Sequence, residues 1–268
     1  MRPLGTLLAF LKRDFQIEIS YRTSFVLQFV GILFSVVFWR LLSRVVTAAP
    51  DTPGLDGIDY FAYVLLGLAF YHYLSAALLA FSSKVRQEQM TGTLEAMLVT
   101  PTSLGTIVLG SALWEFVMTS VKAVVYLGVG WSIGVNLRWE GLLPGLVVLI
   151  LTILAFSGIG ILSAAFIFYL KRGDPITYLV SSASALLGGV FYPPEDMTGW
   201  IATLSRFLPI TYSLRALRKA LLKGSGFGEL LPDIAALLLF IAVLLPLGIV
   251  AFRFAVRKAR QEGSLVQY

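Results

Sequence analysis

The sequence predicts an all-α integral membrane protein, and three observations carry that expectation. Hydrophobic residues make up 57% of the chain and charged residues only 13%, which with a mean hydropathy of +0.84 is too apolar for a water-soluble domain. Six apolar runs approach or exceed the roughly 20 residues that a helix needs to cross the hydrocarbon core. The Lys and Arg residues fall in short clusters between those runs, so the net charge of +6 reads as a topology signal and not as a nucleic-acid face. The chain has no cysteine, which removes disulfides and thiol-ligated metals from consideration.

Residues 1–22 form the first unit. Leu4, Leu7, Leu8, Leu11, Phe15 and Ile19 share one side of a helix while Lys12, Arg13 and Glu18 lie mostly on the other, the pattern of a helix lying in the membrane interface. The stretch lacks the uninterrupted apolar centre and the cleavage site of a signal peptide, so it is expected to stay in the mature protein. Residues 23–268 form the transmembrane unit, with expected spans at 24–46, 59–82, 104–135, 142–170, 175–191 and 233–253. Arg40 and Arg44 stand near one end of the first span, where long side chains snorkel to the head groups. The fifth span is short, interrupted by Gly188 and Gly189 and stopped by Pro193 and Pro194.

Between the second and third spans, residues 84–103 read KVRQEQMTGTLEAMLVTPTS. Gly92 can end one helix in a left-handed conformation, Thr93 can cap the next, and Glu95 sits where the positive end of the helix dipole favours an anion. Pro101 disfavours helical geometry at Thr100 and limits that helix to about two turns, with Leu94, Met97 and Leu98 on one apolar face. So short a helix is unstable alone in water, so its apolar face needs a surface, and that surface can belong to another chain. A solvated loop with one helical turn is the plainer alternative.

Counting Lys and Arg sets orientation, because cytoplasmic segments retain positive charge. With both termini inside, the inner side holds Arg2, Lys12, Arg13, Arg22, Lys84, Arg86, Lys171, Arg172 and the tail cations Arg253, Arg257, Lys258 and Arg260. The loop after the first span carries Asp51, Asp56 and Asp59 instead. Residues 192–231 conflict with the rule: they fall outside yet contain Arg206, Arg215, Arg218, Lys219 and Lys223. Because Leu214, Leu217 and Leu221 share one face while Arg215, Arg218 and Lys219 share another, an amphipathic hairpin at the outer leaflet is expected there in preference to a seventh crossing.

Glu88 followed by GTLEAMLVTP, Gly92 to Pro101, resembles the cytoplasmic loop of ABC-2-type exporter permeases, the class that shares the ABCG architecture. A second match supports it: Phe191, Pro193, Trp200, Pro209, Thr211 and Arg215 resemble that family's segment between spans five and six. Met197-Thr198 departs from the Leu-Pro pair of many relatives. The resemblance covers the chain in order and implies six spans, a cytoplasmic coupling helix in 84–103 and an extracellular re-entrant hairpin in 192–231. It also implies that Glu88, Thr93, Leu94, Glu95, Met97 and Leu98 dock onto a separate ATPase. Two ATPase copies and a second copy of the permease, as a homodimer, complete the implied assembly, with the outer hairpin shaped around Pro193, Trp200, Pro209 and Arg215.

The chain carries no G-x-x-x-x-G-K-[ST] phosphate loop, so it is not expected to hydrolyse ATP; it needs no cofactor of its own, ATP and Mg being expected on the partner subunit. Phe29, Phe34 and Phe38 in the first span, with Ser181 and Ser182 in the fifth, are candidates for the pathway or the dimer interface, lipid exposure being the alternative for the aromatic residues. Glu115 and Lys122 are ionisable groups at membrane depth, seven residues apart on nearly one face; pairing or snorkelling stands beside a gating or substrate role. His72, the single histidine, lies in the aromatic group Phe70 to Tyr73 and reads as packing or lining. The resulting expectation is the permease subunit of an ATP-driven exporter in the bacterial inner membrane, on the drug and lipid branch, moving an amphipathic small molecule or lipid. Lipid-linked polysaccharide is the alternative cargo. A proton-coupled carrier using Glu115 and Lys122 is the alternative mechanism.

Overall fold

The computed structural model describes residues 3–47, 55, 57–90, 104–170, 174–197 and 199–261, and every regular element among them is helical. In chain order these are α1 (Pro3–Ser20), α2 (Arg22–Thr47), α3 (Tyr60–Met90), α4 (Leu104–Ser132), α5 (Leu142–Leu170), α6 (Pro175–Leu187), α7 (Gly199–Ser205), α8 (Pro209–Arg218) and α9 (Phe227–Gln261). Helices α2, α3, α4, α5 and α9 are long and apolar enough to cross a membrane. A lipid environment leaves backbone groups no water to bond, which is why spans close all their hydrogen bonds internally.

Helix α3 is the axis of the bundle. It is apolar on every side over its spanning part, the mark of a helix surrounded by protein, and Phe61, Leu65, Leu66, Leu74 and Leu78 are fully buried along it. Its neighbours supply Val36 from α2, Phe156 from α5, Leu214 and Leu217 from α8, and Leu237 from α9 to the same core. Lipid tails are as apolar as leucine, so tight packing and polar contacts, more than expulsion of water, hold these helices together. Two glycines show how closely α5 and α9 cross: a Cβ on Gly248 would stand 2.5 Å from the Gly158 carbonyl oxygen, and one on Gly158 would stand 2.8 Å from the backbone of Leu244 and Leu245. Thr152 of α5 and Ser213 of α8 add an interhelical hydroxyl pair at 2.5 Å.

Several expected boundaries move. The fifth expected span, 175–191, is a helix only to Leu187; its 13 residues give about 20 Å at 1.5 Å per residue, short of the roughly 30 Å hydrocarbon core. Asp174 starts it by accepting from the Thr177 N–H at 3.0 Å, and Pro175 sits in its first turn. Gly188 closes it, donating to Ser184 O at 3.0 Å. The third expected span, 104–135, ends at Ser132, and the last, expected at 233–253, starts earlier, at Phe227. The hairpin region therefore ends before 231.

Helix α1 turns a different face inward than its apolar stripe suggests. Leu8 is 63% exposed, and Phe15 and Ile19 are exposed too, while Asp14 is buried. The helix docks on the start of α4: Phe10 packs where a Cβ on Gly110 would come within 2.6 Å, and Phe15 meets Trp114 edge-on at 5.6 Å. Glu18 accepts from Gln28 Nε2 of α2 at 2.9 Å. The exposed apolar residues are left to lipid, which solvates them as well as protein would.

Candidate functional site

The segment after α6 is built by a sequence of backbone stops. Gly189 takes a φ of +84°, a conformation that suits glycine, and Pro194 opens a single 3-10 turn, Pro194–Asp196. Helix α7 follows, and α8 starts with Pro209 in its first turn. Thr211 Oγ1 donates to Ser205 O at 2.7 Å and ties α7 to α8. A π turn, Lys219–Lys223, continues α8 and ends in left-handed Gly224. The expected hairpin is thus two short helices and a π turn folded back on the bundle.

Arg218 is its anchor. Grouped by sequence with Arg215 and Lys219 on a polar face, it is instead 5% exposed. Its Nη2 donates to Tyr63 O at 3.0 Å, Gly189 O at 2.8 Å and Val190 O at 3.3 Å, and Nε donates to Tyr63 O at 3.2 Å. The guanidinium carbon lies 3.3 Å from the centre of the Tyr63 ring, and the Tyr63 hydroxyl donates to Gly189 O at 3.1 Å. One planar cation thereby satisfies carbonyls of α3 and of the bend after α6, a task that suits the rigid fork of arginine. Gly67 makes room for it: a Cβ there would stand 2.3 Å from Val190 O and 2.9 Å from Arg218 Nη2.

Asp233, in the second turn of α9, fixes the other side. It is 0% exposed; Oδ1 accepts from Arg215 Nε at 2.7 Å and Oδ2 from Lys219 Nζ at 3.2 Å. A buried carboxylate is tolerable only with such partners. The π turn also meets the start of α5, where Arg138 N donates to Leu221 O at 2.8 Å and a Cβ on Gly141 would overlap the Ala220 carbonyl at 1.7 Å. Leu214, Leu217 and Leu221 are buried as their spacing predicts.

Of the sequence-predicted hairpin residues, Pro193 and Pro209 are buried, Arg215 is half-exposed in its ion pair, and Trp200 is 70% exposed. Tyr63, Gly67 and Asp233 are anchoring positions that the sequence reading did not single out, and Arg218 was placed on the wrong face. Only Asp233, an acid at the head of a long apolar helix, carried a signal that could have marked it.

The expected docking element follows α3 in the sequence. Thr93, Leu94, Glu95, Met97 and Leu98 lie outside the described residues. Glu88 belongs to α3, which continues as helix through Met90. Ser82–Met90 therefore projects about 13 Å beyond the last apolar turn, and Met90 stands about 40 Å along the axis from Tyr63 at 1.5 Å per residue.

The other candidates separate. Phe34 is 73% exposed and Phe38 is exposed, whereas Phe29 packs partly on the core. Ser181 and Ser182 are half-buried on α6, and Ser181 O accepts from the Tyr71 hydroxyl at 3.2 Å. Trp39 stacks on Phe191 at 5.0 Å, and Arg40 lies 3.8 Å from Asp59. No ion pair joins Glu115 to Lys122 among the described residues. His72 lies with its Nε2 3.4 Å from the Tyr126 hydroxyl. Among the described residues no group of acids and histidines could hold a metal ion.

Comparison with known proteins agrees with this architecture. Residues 7–222 match the family described as ABC-2 type transporter. The chain is similar to Nodulation protein J of Rhizobium leguminosarum bv. trifolii, 29% identical over 198 residues, covering 70% of this chain and 72% of the relative. It is also similar to Nodulation protein J of Rhizobium meliloti, 28% identical over 179 residues with 63% and 64% covered. The protein of the same name from Sinorhizobium fredii is 28% identical over 194 residues, with 69% and 71% covered.

Proposed function

Because the chain belongs to the ABC-2 type transporter family, we propose that it is the permease subunit of an exporter driven by a separate ATPase. In this reading it moves an amphipathic small molecule or lipid outward across the bacterial inner membrane. Both termini and the 91–103 connection lie in the cytoplasm, and the hairpin from Gly188 to Gly226 lies at the outer face. Helix α6 and the bend that follows it complete a sixth crossing. Two copies of the chain and two ATPase subunits make the working assembly.

The observation that carries the reading is the extension of α3. Its helix runs on through the polar-rich stretch SSKVRQEQM to Met90, directly before the GTLEAMLVTP segment in the sequence. A stiff helix that also carries Tyr63 beside Arg218 at its far end is a mechanical link between a motor docked at one face and a hairpin at the other. ATP binding would draw the two motors together, and the docking segments would pass that movement to the spans as rigid bodies.

The test is co-purification of the permease with its candidate ATPase, followed by the Leu94→Asp, Met97→Asp double variant. Two carboxylates in an apolar contact are expected to abolish co-purification while the permease still assembles in the membrane. An ATPase that binds the variant as it binds the wild type, with transport intact, would overturn the docking assignment.

A further inference from the structure

Lys122 of α4 is a charge that neither the hairpin nor the docking loop explains. Trp131, near the end of the same helix, is 63% exposed, and tryptophans of this kind sit at head-group level. At 1.5 Å per residue Lys122 lies about 14 Å along the axis from it, near the middle of a hydrocarbon core roughly 30 Å thick. That depth is beyond the reach of a snorkelling lysine stem. Among the described residues neither Glu115 nor any other carboxylate pairs with Lys122. An ammonium at this depth without a counter-charge is costly, and charges so placed mark the paths and sites of ligands and ions.

The groups around it are polar and come from three helices. Tyr126 stands one turn further along α4 on the same face as Lys122. Its hydroxyl lies 3.4 Å from His72 Nε2 of α3, and the two rings meet with their centres 5.4 Å apart. His72 is within electrostatic range of Lys122, and Ser35 of α2 brings its hydroxyl to the side of Tyr126. Ser35, His72 and Lys122 are half-buried, so the cluster is reachable and not sealed in the core.

We propose that Lys122 binds the carboxylate of an amphiphile, with the hydroxyls of Tyr126 and Ser35 as further donors. A neutral His72 can donate its Nε2–H to the Tyr126 hydroxyl, which turns that hydroxyl's own hydrogen toward the anion. One ammonium balances one negative charge, so a doubly charged phosphate would leave charge uncompensated at membrane depth. The same depth selects an amphiphile over a free ion, because an ion without an apolar chain gains nothing to offset its loss of water. Phe34, next to Ser35, and Val121, next to Lys122, are exposed and offer that chain apolar contact. Naming the bound amphiphile as cargo rests on the export reading; the anion site itself does not.

The purified full-length chain in maltoside micelles is titrated with laurate, with uncharged dodecanol and with acetate, bound ligand being counted by native mass spectrometry. Saturable binding of laurate, absent with dodecanol, is expected. Lys122→Met, similar in length and uncharged, should weaken laurate binding by about tenfold or more. Arg253→Gln, which removes an exposed cation elsewhere, should leave it unchanged, which separates the site from general attraction to a basic protein. Because Lys122→Met takes a charge out of the membrane interior, its thermal midpoint should equal or exceed that of the wild type. Tyr126→Phe keeps the ring, drops the hydroxyl and should weaken laurate binding by a smaller factor. Acetate binding as tight as laurate would support the anion chemistry and assign the source to solution instead of the membrane. Equal binding of dodecanol, or laurate binding unchanged in folded Lys122→Met, would overturn the proposal. So would a Lys122→Met chain that does not fold, since the ammonium would then be engaged within the fold itself. Neither ATP nor the ATPase is present, so the site can fail while the Leu94→Asp, Met97→Asp test upholds the export reading, and the reverse.

Discussion

Helices α3 and α9 make an instructive pair. Helix α9 has the more apolar span of the two, yet most of that span is exposed, whereas the less apolar α3 is mostly buried. In a water-soluble protein the order would be reversed. In lipid an all-leucine surface gains nothing by leaving the solvent, so what earns a helix a central place is its capacity for close approach and polar contact. Helix α3 has that capacity in Gly67, in the Tyr63 carbonyl and ring, in the Tyr71 hydroxyl and in His72. Helix α9 has it at Gly248, against α5, and at Asp233, and elsewhere offers Leu231, Leu238, Leu239, Val243, Leu247 and Val250 to the exterior.

The difference can be broken at its strongest point first. Arg218→Met would strip the carbonyls of Tyr63, Gly189 and Val190 of their charged donor, and removal of a buried, multiply bonded charge costs about 3–5 kcal/mol. The expected result is a large loss of folded protein by fluorescence-detected size exclusion, with no rescue by Arg218→Lys, whose single ammonium cannot reproduce the fork. A folded Arg218→Met protein of wild-type stability would show that α3 does not depend on this anchor.

A smaller effect is expected from Gly67→Ala. Its methyl would stand 2.3 Å from Val190 O, so the backbone must shift, and overpacking of this kind costs about 1–3 kcal/mol. The thermal midpoint in detergent should fall measurably, while Gly31→Ala on α2, where a Cβ meets nothing within 4 Å, serves as the matched control and should not fall. The smallest effect belongs to the exposed face of α9. Leu239→Ala removes an exposed side chain and should leave stability within about 0.5 kcal/mol. A loss above 2 kcal/mol there, seen as a drop in the same midpoint, would mean that the face packs against protein and that the contrast with α3 is wrong.

The two ends of the bundle were unequally legible. The docking segment is an expectation from local chemistry, Gly92, Thr93, Glu95 and Pro101 at fixed offsets, since capping and helix termination act over a few residues, and residues 91–103 lie outside the described residues. The hairpin end showed its glycine and proline stops and its leucines but not its anchor. Arg218 looked like one more surface cation because its partners, Tyr63 and Gly189, stand 155 and 29 residues away, and no local pattern encodes a contact at that range. Helix α1 misled for a related reason: a stripe of Leu8, Phe15 and Ile19 says that one face is apolar but not whether lipid or protein receives it.

Sequence alone determined the class of the molecule, the approximate place of its spans, the glycine and proline stops around 188–194 and the family to which it belongs. The class, spans and stops follow from composition, periodicity and turn chemistry, which are local, and the family from the match over residues 7–222. Tertiary structure alone decided which spans are central, that the fifth helix ends at Leu187, and that Arg218 and Asp233 turn inward to anchor the hairpin. Those outcomes depend on which backbone carbonyl or ion partner a folded chain brings within 3 Å or so of a charge, a distance set by packing and not by neighbours in sequence.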